Sequence, residues 1–420
     1  MFPTRLAIFK RWWQPRYTVL ALMWLVYGCF YLNRLNIAPV IPLIIEDLKI
    51  SHAKVGIISA FFFAFYAATQ IPAGYLSDLL GPRKIITLGG VTSALANFFF
   101  GAGSSLFYLT GVQSINGLGQ GGGWGPSVKL LNNWFPEAER GRVLGAYATC
   151  VSIFTPLTYA LAGYLGKAFG WRVVFWISPL ILLPVLLVYW MVVGDYPGGN
   201  SIQGFRYSPG PLAEKPPVDR KRLSVIFSNK DVRMTCLGFF CLNYITYCNL
   251  VWLPAYLCES YGLTVAKAGF LAGAYPLVGL AARPFGGYLS DVTFDGRRKP
   301  LLLIGLSFIL LSTIFLAVSN DLRWAIVLIV SVGFFDQLIS SLFFALQLDL
   351  IPAELAGSGT GLLDAGGHLG SMFAMFFSGL LVDMFGSYKP VFLVLSVLAA
   401  TGIGAVLSIR ESKYDHLSRG

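Results

Sequence analysis

Several ionisable side chains stand deep inside apolar stretches of this 420-residue chain: Arg34, Arg283, Asp336, Asp364 and His368, with Lys129 nearer the end of its stretch. A charge at the centre of an apolar layer costs about 2.5–3.5 kcal/mol even on a lenient insertion scale, so each of these residues needs a reason to be there. A guanidinium is always charged and presents a planar fork of donors that fits a carboxylate or phosphate with two bonds at once. Arg34 and Arg283, if left without an acid of their own, would attract an anion. The alternative is that Asp336 or Asp364 neutralises each of them in a structural pair. Asp364 and His368 are spaced i, i+4 and share one helical face. A carboxyl and an imidazole one turn apart can hold or pass a proton, and Asp336 is a second acid for that role. Against this, Asp364 could be a packing partner in the glycine-rich run 357–370, and His368 a satisfied core histidine. Lys129 reads as a side chain that snorkels towards water. Hydroxyls and amides at this depth also need partners, which makes Tyr31, Tyr66, Tyr244, Tyr247, Tyr275, Asn243 and Asn249 candidate pocket donors.

The elements that must carry these residues are helices across a bilayer. Hydrophobic types make up 56% of the chain and charged types only 12%, about half the charge of a soluble domain. A soluble enzyme, a disordered chain and a secreted disulfide protein are therefore excluded. The six cysteines form no C-x-x-C pair, so no disulfide framework or zinc site is indicated. No metal or cofactor is expected. The N-terminus shows no short apolar core followed by a small-residue cleavage site, so the first apolar stretch is read as a span.

Stretches of about 20 apolar residues occur twelve times, at roughly 18–45, 54–79, 84–104, 106–134, 141–166, 171–194, 231–258, 266–291, 300–319, 322–349, 355–384 and 388–409. The net charge of +11 is spread through the short connections between them. Twenty-one Lys and Arg fall in the loops on the side of the termini, against seven on the other side. That asymmetry places both termini in the cytoplasm of a multi-pass protein of the cell (inner) membrane. It also explains the basic balance without nucleic acid.

Residues 195–230 interrupt the pattern with Pro, Gly and charge, and divide the chain into 1–194, a cytoplasmic linker and 231–420. The halves repeat. Ala53-Lys54-x-Gly56 recurs as Ala266-Lys267-x-Gly269, and Gly74-Tyr75-Leu76-Ser77-Asp78 recurs as Gly287-Tyr288-Leu289-Ser290-Asp291, both 213 residues on. Pro136, Gly145, Gly163 and Gly170 match Pro352, Gly361, Gly379 and Gly386, each 216 residues on. A parallel six-span repeat places a substrate site near the midplane, between the halves. The expected architecture is an all-α membrane protein of twelve transmembrane helices in two pseudo-symmetric six-helix bundles.

The loop after the second stretch reads Gly74-x-x-x-Asp78-x-x-Gly81-x-Arg83-Lys84, with a longer variant from Gly287 through Asp291 to Gly296-Arg297-Arg298-Lys299. It resembles the signature loop of the major facilitator superfamily. An Asp at a helix end beside Arg can latch a neighbouring helix terminus in one conformation and release it in another, which makes Asp78, Arg83, Asp291 and Arg297 gating candidates. The run Asn116-Gly117-Leu118-Gly119-Gln120-Gly121-Gly122-Gly123-Trp124-Gly125-Pro126, then Trp134-Phe135 and Arg140-Gly141, resembles the organophosphate:phosphate antiporters and the neighbouring anion:cation symporters. So do Asn243 to Leu257 and Tyr31-x-x-Arg34. Read by itself, the glycine run lacks the Lys-Ser/Thr ending of a phosphate loop and suits close helix packing.

The departures from that resemblance narrow the cargo. Where the glycerol-3-phosphate type carries a second Arg, this chain has Thr246; Gln70 stands for an expected Lys and Val151 for an expected His. Only Arg34 remains of the phosphate set. In the second half Arg283-Pro284, the repeat counterpart of Gln70, resembles the monocarboxylate transporters, although Gly279 stands where those have an Asp. The expectation is a secondary transporter, monomeric and not an enzyme, that moves a small organic anion. A carboxylate carried by proton symport or anion exchange is favoured over organophosphate exchange. Arg34, Arg283, Tyr31, Gln70, Asn243, Tyr247 and Tyr275 would hold the substrate, and Asp336, Asp364 and His368 would serve protons.

Overall fold

The computed structural model describes residues 15–197, 228–351 and 356–410, the last without the side chains of 356–358. Sixteen helices follow one another among the described residues. They are α1 Pro15–Arg34, α2 Ile37–Leu48, α3 His52–Leu80, α4 Pro82–Ala102, α5 Leu106–Gly121, α6 Trp124–Trp134, α7 Glu137–Phe169 and α8 Trp171–Val192. In the second half come α9 Lys230–Tyr261, α10 Val265–Ala272, α11 Ala274–Leu277, α12 Gly279–Thr293, α13 Lys299–Val318, α14 Leu322–Leu350, α15 Ala356–Phe385 and α16 Lys389–Leu407. In an apolar solvent every backbone N–H and C=O must be paired within the segment, and only helices do this one strand at a time. The ends are set by local chemistry. Ser51, Ser105 and Thr264 cap α3, α5 and α10 through their hydroxyls, and proline opens α4, α13 and α16. The repeat pair Gly170 and Gly386 both take positive φ, 85° and 60°, at the turn leading into the sixth and twelfth passes.

Eleven stretches are long and apolar enough to cross a membrane, with α1–α2 and α10–α12 each counting as one. The remaining pass expected at 106–134 is two helices in tandem, α5 and α6, broken at Gly122–Gly123. Two effects produce the break. Glycine is a poor helix former, and this run is pulled close to α4, where a Cβ on Gly119 would lie 2.7 Å from the Gly89 carbonyl oxygen. The chain thus forms twelve passes in two bundles. In the first, α1 packs on α7 and α8, and α4 on α5 and α8; in the second, α9 packs on α16, and α13 on α14 and α16. The bundles meet along α3–α15, α7–α10 and α2–α9. The stretch expected as a linker, 195–230, lies largely outside the described residues; Asp195 belongs with the first bundle, accepting from the Arg83 backbone N–H at 2.7 Å.

The repeat glycines show how the bundles sit. At the face distal to the termini, a Cβ on Gly56 would lie 2.5 Å from the Met375 carbonyl oxygen and one on Gly379 2.4 Å from that of His52. On the opposite seam, Gly163 comes as near to the Val265 carbonyl (2.9 Å) and Gly269 to that of Tyr159 (2.7 Å). Only glycine lets the backbones approach so closely. On the terminal half of the same helices, a Cβ on Gly74, Gly287, Gly145 or Gly361 would meet nothing within 4 Å among the described residues. Among the described residues, the close glycine contacts between the bundles lie at the distal face and none is made by these four glycines of the terminal half.

Candidate functional site

Arg34 is the last residue of α1, where the first pass breaks before α2. Breaking a helix at mid-depth releases backbone carbonyls that need donors. The Asn33 carbonyl takes two, Nδ2 of Asn97 and Nδ2 of Asn116, both at 3.0 Å. The Phe30 carbonyl accepts from Gln120 Nε2 at 2.9 Å. The same Nε2 donates to Ser93 Oγ at 2.9 Å. With its amide nitrogen committed to these two acceptors, Gln120 can only turn its oxygen to Arg34, and Oε1 accepts from Nε at 3.2 Å and Nη2 at 3.0 Å. Tyr31 and Tyr66 cover the guanidinium, each with its ring centroid 4.7 Å from Cζ, and Tyr27 lies at 6.0 Å. Such π faces attract a cation without neutralising it. Arg34 is 3% exposed and forms no ion pair among the described residues. Its polar support is neutral, the Gln120 amide and the Tyr66 side chain, and Nη1 is left unengaged by Gln120.

Across the bundle interface His368 faces this cage. Its ring lies edge-on to Tyr66 at 4.5 Å and 6.0 Å from Tyr247, which itself packs on Phe63 at 4.7 Å. His368 Nε2 is 3.6 Å from Asp364 Oδ1, and Nδ1 is buried without a hydrogen-bond partner. Arg34 lies within electrostatic reach of both Tyr247 and His368. Six of the residues singled out in the sequence, Tyr31, Arg34, Tyr66, Tyr247, Asp364 and His368, therefore come together around one point between the bundles.

The second cluster belongs to the C-terminal bundle. Arg283 follows the break of the eighth pass before Gly279, and its Nε donates to Gln337 Oε1 at 2.8 Å. Gln337 Nε2 donates in turn to Asp336 Oδ2 at 2.9 Å, and Thr246 Oγ1 donates to Asp336 Oδ1 at 2.6 Å. Tyr275 is buried with its hydroxyl beside Asp336 and Thr246. Asp336 is fully buried and within electrostatic reach of Arg283. The two clusters are neighbours, since Cys150 on α7 feels both arginines.

Other sequence candidates sit apart. Asn243 Nδ2 donates to the Phe239 carbonyl one turn earlier at 3.2 Å and packs where Gly367 lets α15 approach α9. Asn249 does likewise with Ile245, at 2.8 Å. Gln70 Nε2 is buried without a hydrogen-bond partner. In the signature loop Asp78 Oδ1 pairs with Lys129 Nζ at 2.6 Å, while the Arg83 guanidinium stacks on Trp190 at 4.0 Å. In the second loop Asp291 pairs with Arg298 at 2.5 Å, and Arg297 donates its backbone N–H to the Phe294 carbonyl at 2.8 Å. Sequence reasoning passed over Gln120, Gln337 and Arg298, and read Lys129 as a snorkelling side chain. A signal for Gln120 existed, a lone amide within a glycine run.

With this geometry in place, family comparison gives a direct answer. The model of the Major Facilitator Superfamily matches residues 23–363 and 235–419. The chain belongs to the Major Facilitator Superfamily. It is a membrane transporter, not an enzyme. Among curated relatives it is 27% identical to a probable sulfoacetate transporter of Cupriavidus necator, over 94% of each chain. It is 25% identical to a probable galactarate/D-glucarate transporter of Bacillus subtilis and 25% identical to a probable hexose phosphate transport protein of Chlamydia pneumoniae, each over 94% of this chain and 90% of the relative. Its fold is similar to a bacterial homologue of the lysosomal transporter Spinster, in an inward-facing, unoccupied conformation, with a TM-score of 0.76 at 18% identity and 94% of each chain covered.

Proposed function

We propose that this transporter carries a small organic anion with a carboxylate or sulfonate group, together with a proton, by alternating access between its two bundles. The observation that carries the reading is Arg34: a buried guanidinium fixed by a neutral amide and three tyrosine rings, with its charge left for a ligand to answer. A carboxylate approaching between the bundles would engage the free end of the fork. Two of the relatives described above are named as carriers of sulfoacetate and of galactarate or glucarate, all anions of this class.

Asp336 supplies the coupling. Ionised, it answers the charge of Arg283 through Gln337. Protonated, it leaves Arg283 as bare as Arg34, and the cavity then attracts an anion more strongly. Proton and anion therefore bind in favour of each other, which is the thermodynamic requirement of symport. Thr246, which stands where the phosphate antiporters have a second Arg, donates to that acid and so turns a phosphate position into part of a proton site. We assign the terminal face to the cytoplasm, on the basis of its excess of Lys and Arg.

The test is uptake into proteoliposomes holding the purified protein, with labelled D-glucarate, sulfoacetate and D-galactonate, with and without an inward proton gradient. The expected result is gradient-driven uptake of at least one of these anions and little competition from inorganic phosphate. Uptake indifferent to the gradient and displaced by phosphate would favour anion exchange and defeat the reading.

A further inference from the structure

At the distal face, outside the central cavity, one imidazole is held between two carboxylates. His52 opens α3; its Nδ1 lies 3.0 Å from Asp383 Oδ1, and its Nε2 lies 3.0 Å from Glu259 Oε2 and 3.2 Å from Oε1. A neutral imidazole has one N–H and one lone pair, so it can satisfy only one of the two acids and must turn its lone pair to the other. Only the imidazolium donates from both nitrogens. His52 belongs to the first bundle and both acids to the second, so each of these bonds crosses the seam that must part for the distal face to open.

None of the basic residues of this face, Lys49, Lys54, Lys167, Arg172, Lys267, Arg323 and Lys389, forms an ion pair with either acid among the described residues. The other groups around the ring are uncharged. Tyr388 lies edge-on at 6.3 Å with its hydroxyl beside Glu259, Trp252 lies at 6.2 Å, and Cys258 adjoins Glu259. His52 is thus the cation that these acids share. The three side chains are 19%, 31% and 25% exposed, which leaves the site open to protons from that side of the membrane. The same seam has a second part that needs no proton on histidine. Asp383 also accepts the backbone N–H groups of His52 (3.0 Å) and Ala53 (2.8 Å), capping α3 from the opposite bundle. On the pseudo-equivalent seam, α7–α10, the counterparts of His52 and Asp383 are Val265 and Lys167, which cannot make such a bridge. The site is therefore one-sided, and the repeat does not explain it.

We propose that His52 is a second proton-binding site of this transporter, placed at the distal gate, and that the proton it holds locks the gate shut. The sign follows from the donors. The charged ring bonds both acids and favours closure in acid; as pH rises through the imidazole range one bond is lost, the two acids repel, and the open population grows. The site is independent of which anion the central cavity carries.

Spin labels on K54C and K389C, with the partly exposed Cys236 and Cys258 replaced by serine, report the width of the distal gate in reconstituted protein without substrate. The wild type is expected to lose about fivefold or more of its open population between about pH 8 and pH 5.5. His52→Gln is expected to be flat over that range. Glu259→Gln, which leaves the Asp383 cap intact, keeps a response that moves to more acid pH, and it decides the matter should His52→Gln not fold. An Asp336→Asn background is expected to keep the full response, which separates this site from the central proton site. A flat wild type, or a response retained in His52→Gln and lost in Asp336→Asn, overturns the proposal. Either result leaves the uptake reading standing or falling on its own assay.

Discussion

Arg34 and Arg283 are held alike and balanced differently. Each gives its Nε to the side-chain oxygen of a glutamine, Gln120 on the fourth pass and Gln337 on the tenth. Behind Gln120 stand a backbone carbonyl and a serine hydroxyl, so the chain of bonds from Arg34 ends in neutral groups. Behind Gln337 stands Asp336, so the chain from Arg283 ends in an acid that can take up a proton. The lesson is that a glutamine fixes the direction of an arginine without cancelling it, and what stands behind the glutamine decides whether the charge is permanent or conditional. In the mechanism proposed above, Arg34 holds an anion at any pH and Arg283 reports the protonation of its neighbour.

Breaking the permanent side should have the largest effect. Arg34→Gln is expected to lower anion binding and uptake by about 30-fold or more, the scale of removing one partner from a desolvated charge pair, while circular dichroism and thermal melting show a folded protein. Binding retained within about twofold would remove the anion anchor from Arg34. Breaking the conditional side comes next. Asp336→Asn should abolish the dependence of uptake on a proton gradient yet preserve counterflow of the anion, because an amide there never answers Arg283; a pH profile unchanged from wild type would exclude Asp336 from coupling. The smallest effect should come from Asn243→Ala, expected to change affinity by less than about twofold, since its amide serves its own helix. A large loss there would mean that this amide turns into the cavity in another state of the cycle.

Much of this was legible in the sequence, for identifiable reasons. Hydrophobic run length reports bilayer crossings directly, and the glycine register at 213 and 216 residues survives because backbones touch at Gly56, Gly163, Gly269 and Gly379. Arg34 announced itself because its cost in an apolar layer demands a use. The partner of that arginine was not legible. Gln120 turns its oxygen to Arg34 only because Phe30 and Ser93 take its nitrogen, and contacts 90 and 27 residues apart leave no local pattern. The loop pairs were missed for a similar reason. Asp78 is answered by Lys129 from a different helix, and Asp291 by Arg298 instead of its neighbour Arg297. His52 lies just outside an apolar stretch, where a polar residue attracts no notice, and its two acids lie 207 and 331 residues away.

The central claim is that the charge of Arg34 is unanswered inside the protein, and a paired substitution tests it most directly. Calorimetric titration of the purified protein with the transported anion should compare Gln120→Glu, which places an acid against Arg34, with Gln337→Glu, which adds one beside an arginine that Asp336 already serves. The account predicts that Gln120→Glu weakens binding by about 30-fold or more and Gln337→Glu by less than about fivefold. Wild-type affinity in Gln120→Glu would contradict it.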